Sequence, residues 1–212
     1  MPVSPVEPAS PSRGDRLNAS THIDRGWSLI SRGDHAAAEA ELTKALQLVP
    51  NDTQALVLLG WAQMLRGAHD DALYTMSRAL QHDPSLAMAR VNIGYVCLKK
   101  RIYGEAIEHF TRAMGDATDR RAVLYATFYL GLLYASREMY EDAEAFFGRA
   151  LALGPNLIEA YYELGRARWF SGNHAGARQA WRDGAAASKL SPWGSRCAAV
   201  LEDVEAGRAP PR

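Results

Sequence analysis

Residues 124–157 read LYATFYLGLLYASREMYEDAEAFFGRALALGPNL, and this stretch decides the fold. Leu130, Gly131 and Tyr134 belong to a first helical segment, and Ala143, Phe147 and Ala150 recur at helical spacing in a second. Pro155 stops the second segment, because proline lacks the amide donor and clashes with the preceding turn. The small glycine lets the second helix come close, and Ala143 followed four residues later by Phe147 sets small beside large on one helical face.

Working outward, the same marks return every 34 residues: Gly26, Gly60 and Gly94; Ala38, Ala72 and Ala106; Ala45, Ala79 and Ala113; Pro50 and Pro84. After a three-residue insertion the pattern resumes, with Gly131 and Gly165 and with Ala143 and Ala177. Five units follow, at 19–52, 53–86, 87–123, 124–157 and 158–191. The first helix of a unit ends near Gly33, Gly67 or Gly172, where the turn needs a permissive backbone. The large residue of the second helix is Leu42, Met76, Phe110, Phe147 or Trp181 in turn. One such pair cannot bury its own apolar face, whereas stacked pairs share a continuous core.

This pattern resembles the tetratricopeptide repeat, most closely at Leu130, Gly131, Tyr134, Ala143, Phe147, Ala150 and Pro155. The resemblance covers about 170 of the 212 residues and implies an all-α, right-handed solenoid. The departures are Thr118 where the proline is expected in the third unit, Gly184 for the second alanine of the fifth, and Arg25 before the first glycine. The polar segment Gly115–Arg121, which holds the insertion, is expected to be a longer loop. Beyond the fifth unit, Ser191-Pro192 is a helix start, and Trp193, Cys197, Val200, Leu201 and Val204 recur at helical spacing. A capping helix over 192–206 is expected, with disordered, aperiodic tails at 1–18 and 207–212.

Composition narrows the function. The chain carries 24 Lys plus Arg against 24 Asp plus Glu, so no overall field favours nucleic acid or an anionic membrane. The longest charge-free run, Ala122–Ser136, has 15 residues and reads as a buried helix, since a span needs roughly 18 or more. Cys97 and Cys197 fit no metal or redox spacing, and with four prolines among the first eleven residues the N-terminus has no apolar signal core; a cytoplasmic setting is expected. His35, His69 and His174 share one repeat position, which Tyr103 and Tyr140 fill elsewhere, so packing is expected of them. The Arg-Gly-Asp at Arg32–Asp34 spans an interhelical turn, and Lys99, Lys100 and Arg101 read as a solvated helix end. No phosphate loop, zinc-ligand set or nucleophile motif occurs, so no cofactor, no metal and no enzymatic activity are expected.

The resemblance implies that the first helices line a concave groove that holds another polypeptide. Counting three before, one after and four after each repeat glycine selects the expected groove residues. They are Ile23, Trp27 and Ile30; Val57, Trp61 and Met64; Val91, Tyr95 and Leu98; Phe128, Leu132 and Ala135; Tyr162, Arg166 and Trp169. Asn92 and Tyr129 join them, and Trp27, Trp61 and Tyr95 form an aromatic series at 34-residue intervals. The lysine and arginine clamp that some repeats use for acidic chaperone termini is expected to be absent, because Ile23, Val57, Tyr125 and Tyr129 hold its places and only Asn92 matches. The expected role is an adaptor or assembly factor for an apolar peptide or amphipathic helix. The alternatives are a chaperone of a bacterial secretion or pilus system and a self-assembling homo-oligomeric scaffold.

Overall fold

A computed structural model describes residues 10–115 and 118–211, and among these every regular element is helical. The chain divides into two compact units, residues 1–96 and 97–212. The first unit holds α1 (Arg13–Ser31), α2 (His35–Leu48), α3 (Thr53–Leu65), α4 (His69–His82) and most of α5 (Ala87–Lys99). The second holds α6 (Tyr103–Met114), α7 (Arg120–Ser136), α8 (Tyr140–Leu153), α9 (Ile158–Phe170), α10 (His174–Ala187) and α11 (Pro192–Glu205). Each is built of helix pairs, α1 with α2 and α3 with α4 in one, α7 with α8 and α9 with α10 in the other, so the chain is an all-α repeat solenoid.

Short polar side chains start the helices. Asp34, Asp52, Asp119 and Asn173 each accept from the backbone amide three residues on, satisfying a donor that the first turn leaves open. The same chemistry corrects the expected N-terminal tail: Ser12 and Asp15 form a reciprocal capping box, and α1 begins at Arg13. Of the expected tail, residues 1–9 lie outside the described residues. The insertion is likewise narrower than expected, since Arg120 and Arg121 already belong to α7; its residues 116 and 117 lie outside the described residues.

The core follows the small-beside-large rule. Ala38, Leu42 and Ala45, Ala72, Met76 and Ala79, and Ala143, Phe147 and Ala150 are all fully buried. A Cβ added at Gly26 would lie 2.6 Å from Leu42 Cγ, and one at Gly131 would lie 2.6 Å from Phe147 Cε1. The repeat glycine is thus a packing requirement between the two helices of a pair. At the end of the second unit, Ser191 caps α11 with Pro192 in its first turn, and α11 lays Cys197, Val200 and Val204 over Trp181. Here the departure at Gly184 finds its cause: a Cβ there would meet Cys197 Sγ at 2.7 Å and Tyr161 Cβ at 2.8 Å.

Between the helices of a pair the chain turns through the left-handed region. Gly33, Gly67 and Gly172 do so at φ 81°, 79° and 91°. The other two units place Arg101 (φ 60°) and Glu138 (φ 61°) there, a conformation that costs an L-residue roughly 1–2 kcal/mol.

Candidate interaction face

A helix advances about 100° per residue, so residues three before and four after a repeat glycine lie only about 60° and 40° from it, while the residue one after lies about 100° away. The glycine points at its partner helix. The residue one after it is therefore turned furthest toward the open face, and the outer two are drawn into packing.

The structure sorts the expected groove residues along this line only in part. Ile23, Ile30, Val91 and Phe128 are buried, a correction to their expected place in the groove. Ile23 and Ile30 belong to the core of the first unit, and the Phe128 ring meets the Phe147 ring at 5.7 Å. Trp169 also packs: it stacks on His174 at 4.3 Å and reaches Trp181 at 6.0 Å, which gives His174 the packing role expected of it. Tyr162 is covered by α11, its ring 5.4 Å from Trp193 and its carbonyl accepting from Trp181 Nε1 at 3.1 Å. Val57, Met64, Asn92, Tyr95, Leu98, Tyr129, Leu132 and Ala135 are half-buried.

Two clusters remain. In the first unit Trp27, 48% exposed, lies against Trp61 with ring centroids 5.6 Å apart at 42°. Trp61 also packs on the core beneath it, so one indole is anchored and the other faces out. In the second unit α7 and α9 flank a cleft of about 330 Å³ whose walls include Leu132, Ala135, Glu163, Arg166 and Phe170, with Tyr140 at the start of α8. Tyr125 stacks on Tyr129 along the same helix, centroids 6.1 Å apart.

The cleft is more polar than the sequence offsets implied. Glu163 is buried, and Arg166 Nη1 donates to its carboxylate at 2.8 Å. Burial pushes the Glu163 carboxyl up from the usual range, against the pull of Arg166. One turn earlier, Glu159 is pushed up to about 7 by burial, with the Glu163 charge adding to the shift and Arg196 of α11 opposing it. Neither glutamate was among the expected residues. The offsets six and two before Gly165, at about 120° and 160° from it, would have found both.

Comparison with known proteins agrees with this architecture. Models described as Tetratricopeptide repeat match residues 23–87 and 158–183. Among curated proteins, none matches the sequence. Among solved structures, PilF of Pseudomonas aeruginosa is 22% identical with a TM-score of 0.75, over 91% of this chain and 88% of that one. PilW, a widely conserved type IV pilus biogenesis factor, is 21% identical with a TM-score of 0.75, over 89% of this chain and 88% of that one. MamA of Desulfovibrio magneticus RS-1 is 23% identical with a TM-score of 0.65, over 82% and 97%. At such identities the likeness speaks for the fold. The matched repeat models and the 34-residue packing pattern show a tetratricopeptide-repeat protein.

Proposed function

We propose that the protein is a non-enzymatic adaptor or assembly factor that takes an apolar peptide or amphipathic helix on the open face of its first helices. The observation that carries this reading is the Trp27–Trp61 pair. A half-exposed indole held against an anchored one offers large contact area with little ordering entropy left to lose, the character of an interface hot spot. Membership of a family whose proteins bind other proteins supports it. Among the described residues no helix is long and apolar enough to cross a membrane. The reading includes a cytoplasmic setting, supported by two unpaired, buried cysteines, Cys97 and Cys197, both pushed up to about 11 mainly by burial.

Crosslinking in native cells, followed by mass spectrometry, tests it, with the wild-type chain and a Trp27→Ala chain as parallel baits. A protein recovered with the first and lost with the second supports the reading; the same proteins recovered with both contradict it. A second reading, an assembly factor of a pilus system, draws on the likeness to PilF and PilW over about nine-tenths of the chain. It expects pilus-assembly components among the proteins recovered.

A further inference from the structure

The segment after α11 turns back on the molecule, where a disordered tail was expected. Gly207 takes a left-handed turn at φ 79°, and the Arg208 amide donates to the Asp203 carbonyl at 2.9 Å. The Arg208 guanidinium then holds the Asp203 carboxylate through two donors, at 2.6 and 2.9 Å. Pro210 is buried while Arg208, Ala209 and Pro211 stay exposed. The Pro211 carbonyl accepts from Arg166 Nε at 3.1 Å, across 45 residues of sequence.

Arg166 is the residue one after the repeat glycine of α9, and it forms part of the wall of the α7–α9 cleft. Its Nη1 is fixed on the buried Glu163, so the guanidinium presents Nε–H in a set direction. The group it meets suits that geometry. A Pro-Pro segment has no amide donors of its own, exposes its carbonyls, and is stiff before it binds, so a single oriented donor and one buried ring hold it at low entropic cost.

We infer that the face of α9 around Arg166 is a site for an extended, proline-containing segment, and that residues 208–211 occupy it as an intramolecular competitor. A partner reaching this face must displace the tail. The site rests on Arg166 and the tail alone, and stands whether or not the Trp27–Trp61 pair binds anything.

Two measurements test it on the whole folded protein. In the first, a labelled peptide of residues 207–212 (GRAPPR) is titrated by fluorescence anisotropy into the full chain and into a chain ended after Arg208, which keeps the α11 cap. With an effective tail concentration on the order of 1 mM and a peptide Kd on the order of 0.1 mM, the shortened chain should bind about tenfold more tightly. Arg166→Lys, which keeps a cation for Glu163 but removes Nε–H, should abolish that gain. In the second, trypsin cleavage after Arg208 is timed in the full chain, and Arg166→Lys should speed it at least fivefold if the contact is held in solution. Trp27→Ala should move neither readout, which separates this site from the proposed partner face. Equal peptide binding by the full and shortened chains overturns the proposal. If the peptide binds too weakly to measure, cleavage unchanged by Arg166→Lys overturns it as well.

Discussion

The first helices of the two units carry the same framework and present opposite chemistry. One residue after the repeat glycine stands Trp27, Trp61 or Tyr95 in the first unit, and Leu132 or Arg166 in the second. The first unit shows a tilted indole pair; the second shows a cleft with an ion-paired arginine, a buried glutamate and a docked tail. The difference teaches that the repeat fixes only what lies between the helices of a pair. Leu42 fills the space against Gly26 just as Phe147 fills it against Gly131. The position about 100° away is released from that constraint and free to specialise.

The harshest way to break this comparison is to remove the second unit's cover. Deleting residues 192–212 strips Cys197, Val200 and Val204 from Trp181. At about 1.5–3 kcal/mol for each large apolar side chain fully buried, the loss should be roughly 4 kcal/mol or more, with aggregation of the uncovered face. Thermal melts with light scattering check it, and a truncated chain that stays monodisperse and melts with the wild type would show that α11 is no cap.

A milder test concerns the half-buried Glu159 of the second unit. The folded-state value of Glu159, about 7, lies above its ordinary 4.5, so between these pH values the folded chain keeps a proton that the unfolded chain has lost. Stability therefore falls as pH rises from about 4.5 to 7, and the contribution is gone above that. Glu159→Gln should remove this loss. Allowing for the solvent that reaches the carboxyl, the variant should gain about 2 kcal/mol over wild type at pH 8 and little at pH 5. Chemical denaturation at the two pH values measures the difference, and a gain independent of pH would assign the shift to packing instead.

The smallest effect belongs to the turns. Arg101→Gly should stabilise by about 0.5–1 kcal/mol, because the left-handed turn suits glycine and the native residue is strained there. Glu138→Gly should gain similarly, although Glu138 also borders the cleft. Gly67→Ala, where the backbone already holds glycine at φ 79°, should lose stability. Equal effects of the three changes on the urea midpoint would contradict the conformational account.

Most of the fold was legible in the sequence, since repeated packing writes itself as a period: the Gly26–Leu42 and Gly131–Phe147 contacts are spacings before they are distances. The start of α11 at Ser191-Pro192 was legible too, as was the aromatic approach of Trp27 to Trp61. The site was legible only in part. Treating three offsets as one face placed Ile23, Ile30, Val91 and Phe128 in the groove, whereas the structure packs these four into the core. Glu159 and Glu163 escaped notice because charged residues on a helix usually read as solvated, and their burial depends on what α11 and Arg166 bring near. The docked tail had no periodic signal, because a Pro-Pro segment is recognised through one carbonyl and one ring.

The central claim, that the Trp27–Trp61 pair recognises a partner rather than filling space, meets its most direct test in one titration. The partner segment recovered by crosslinking is titrated calorimetrically into the wild-type and Trp27→Ala chains, with melting curves on the same samples. Because Trp27 is 48% exposed, its loss should cost about 2 kcal/mol of binding, near thirtyfold in Kd, and should leave Tm within about 2 °C. An unchanged Kd, or a fall in Tm that accounts for the lost binding, would contradict the account.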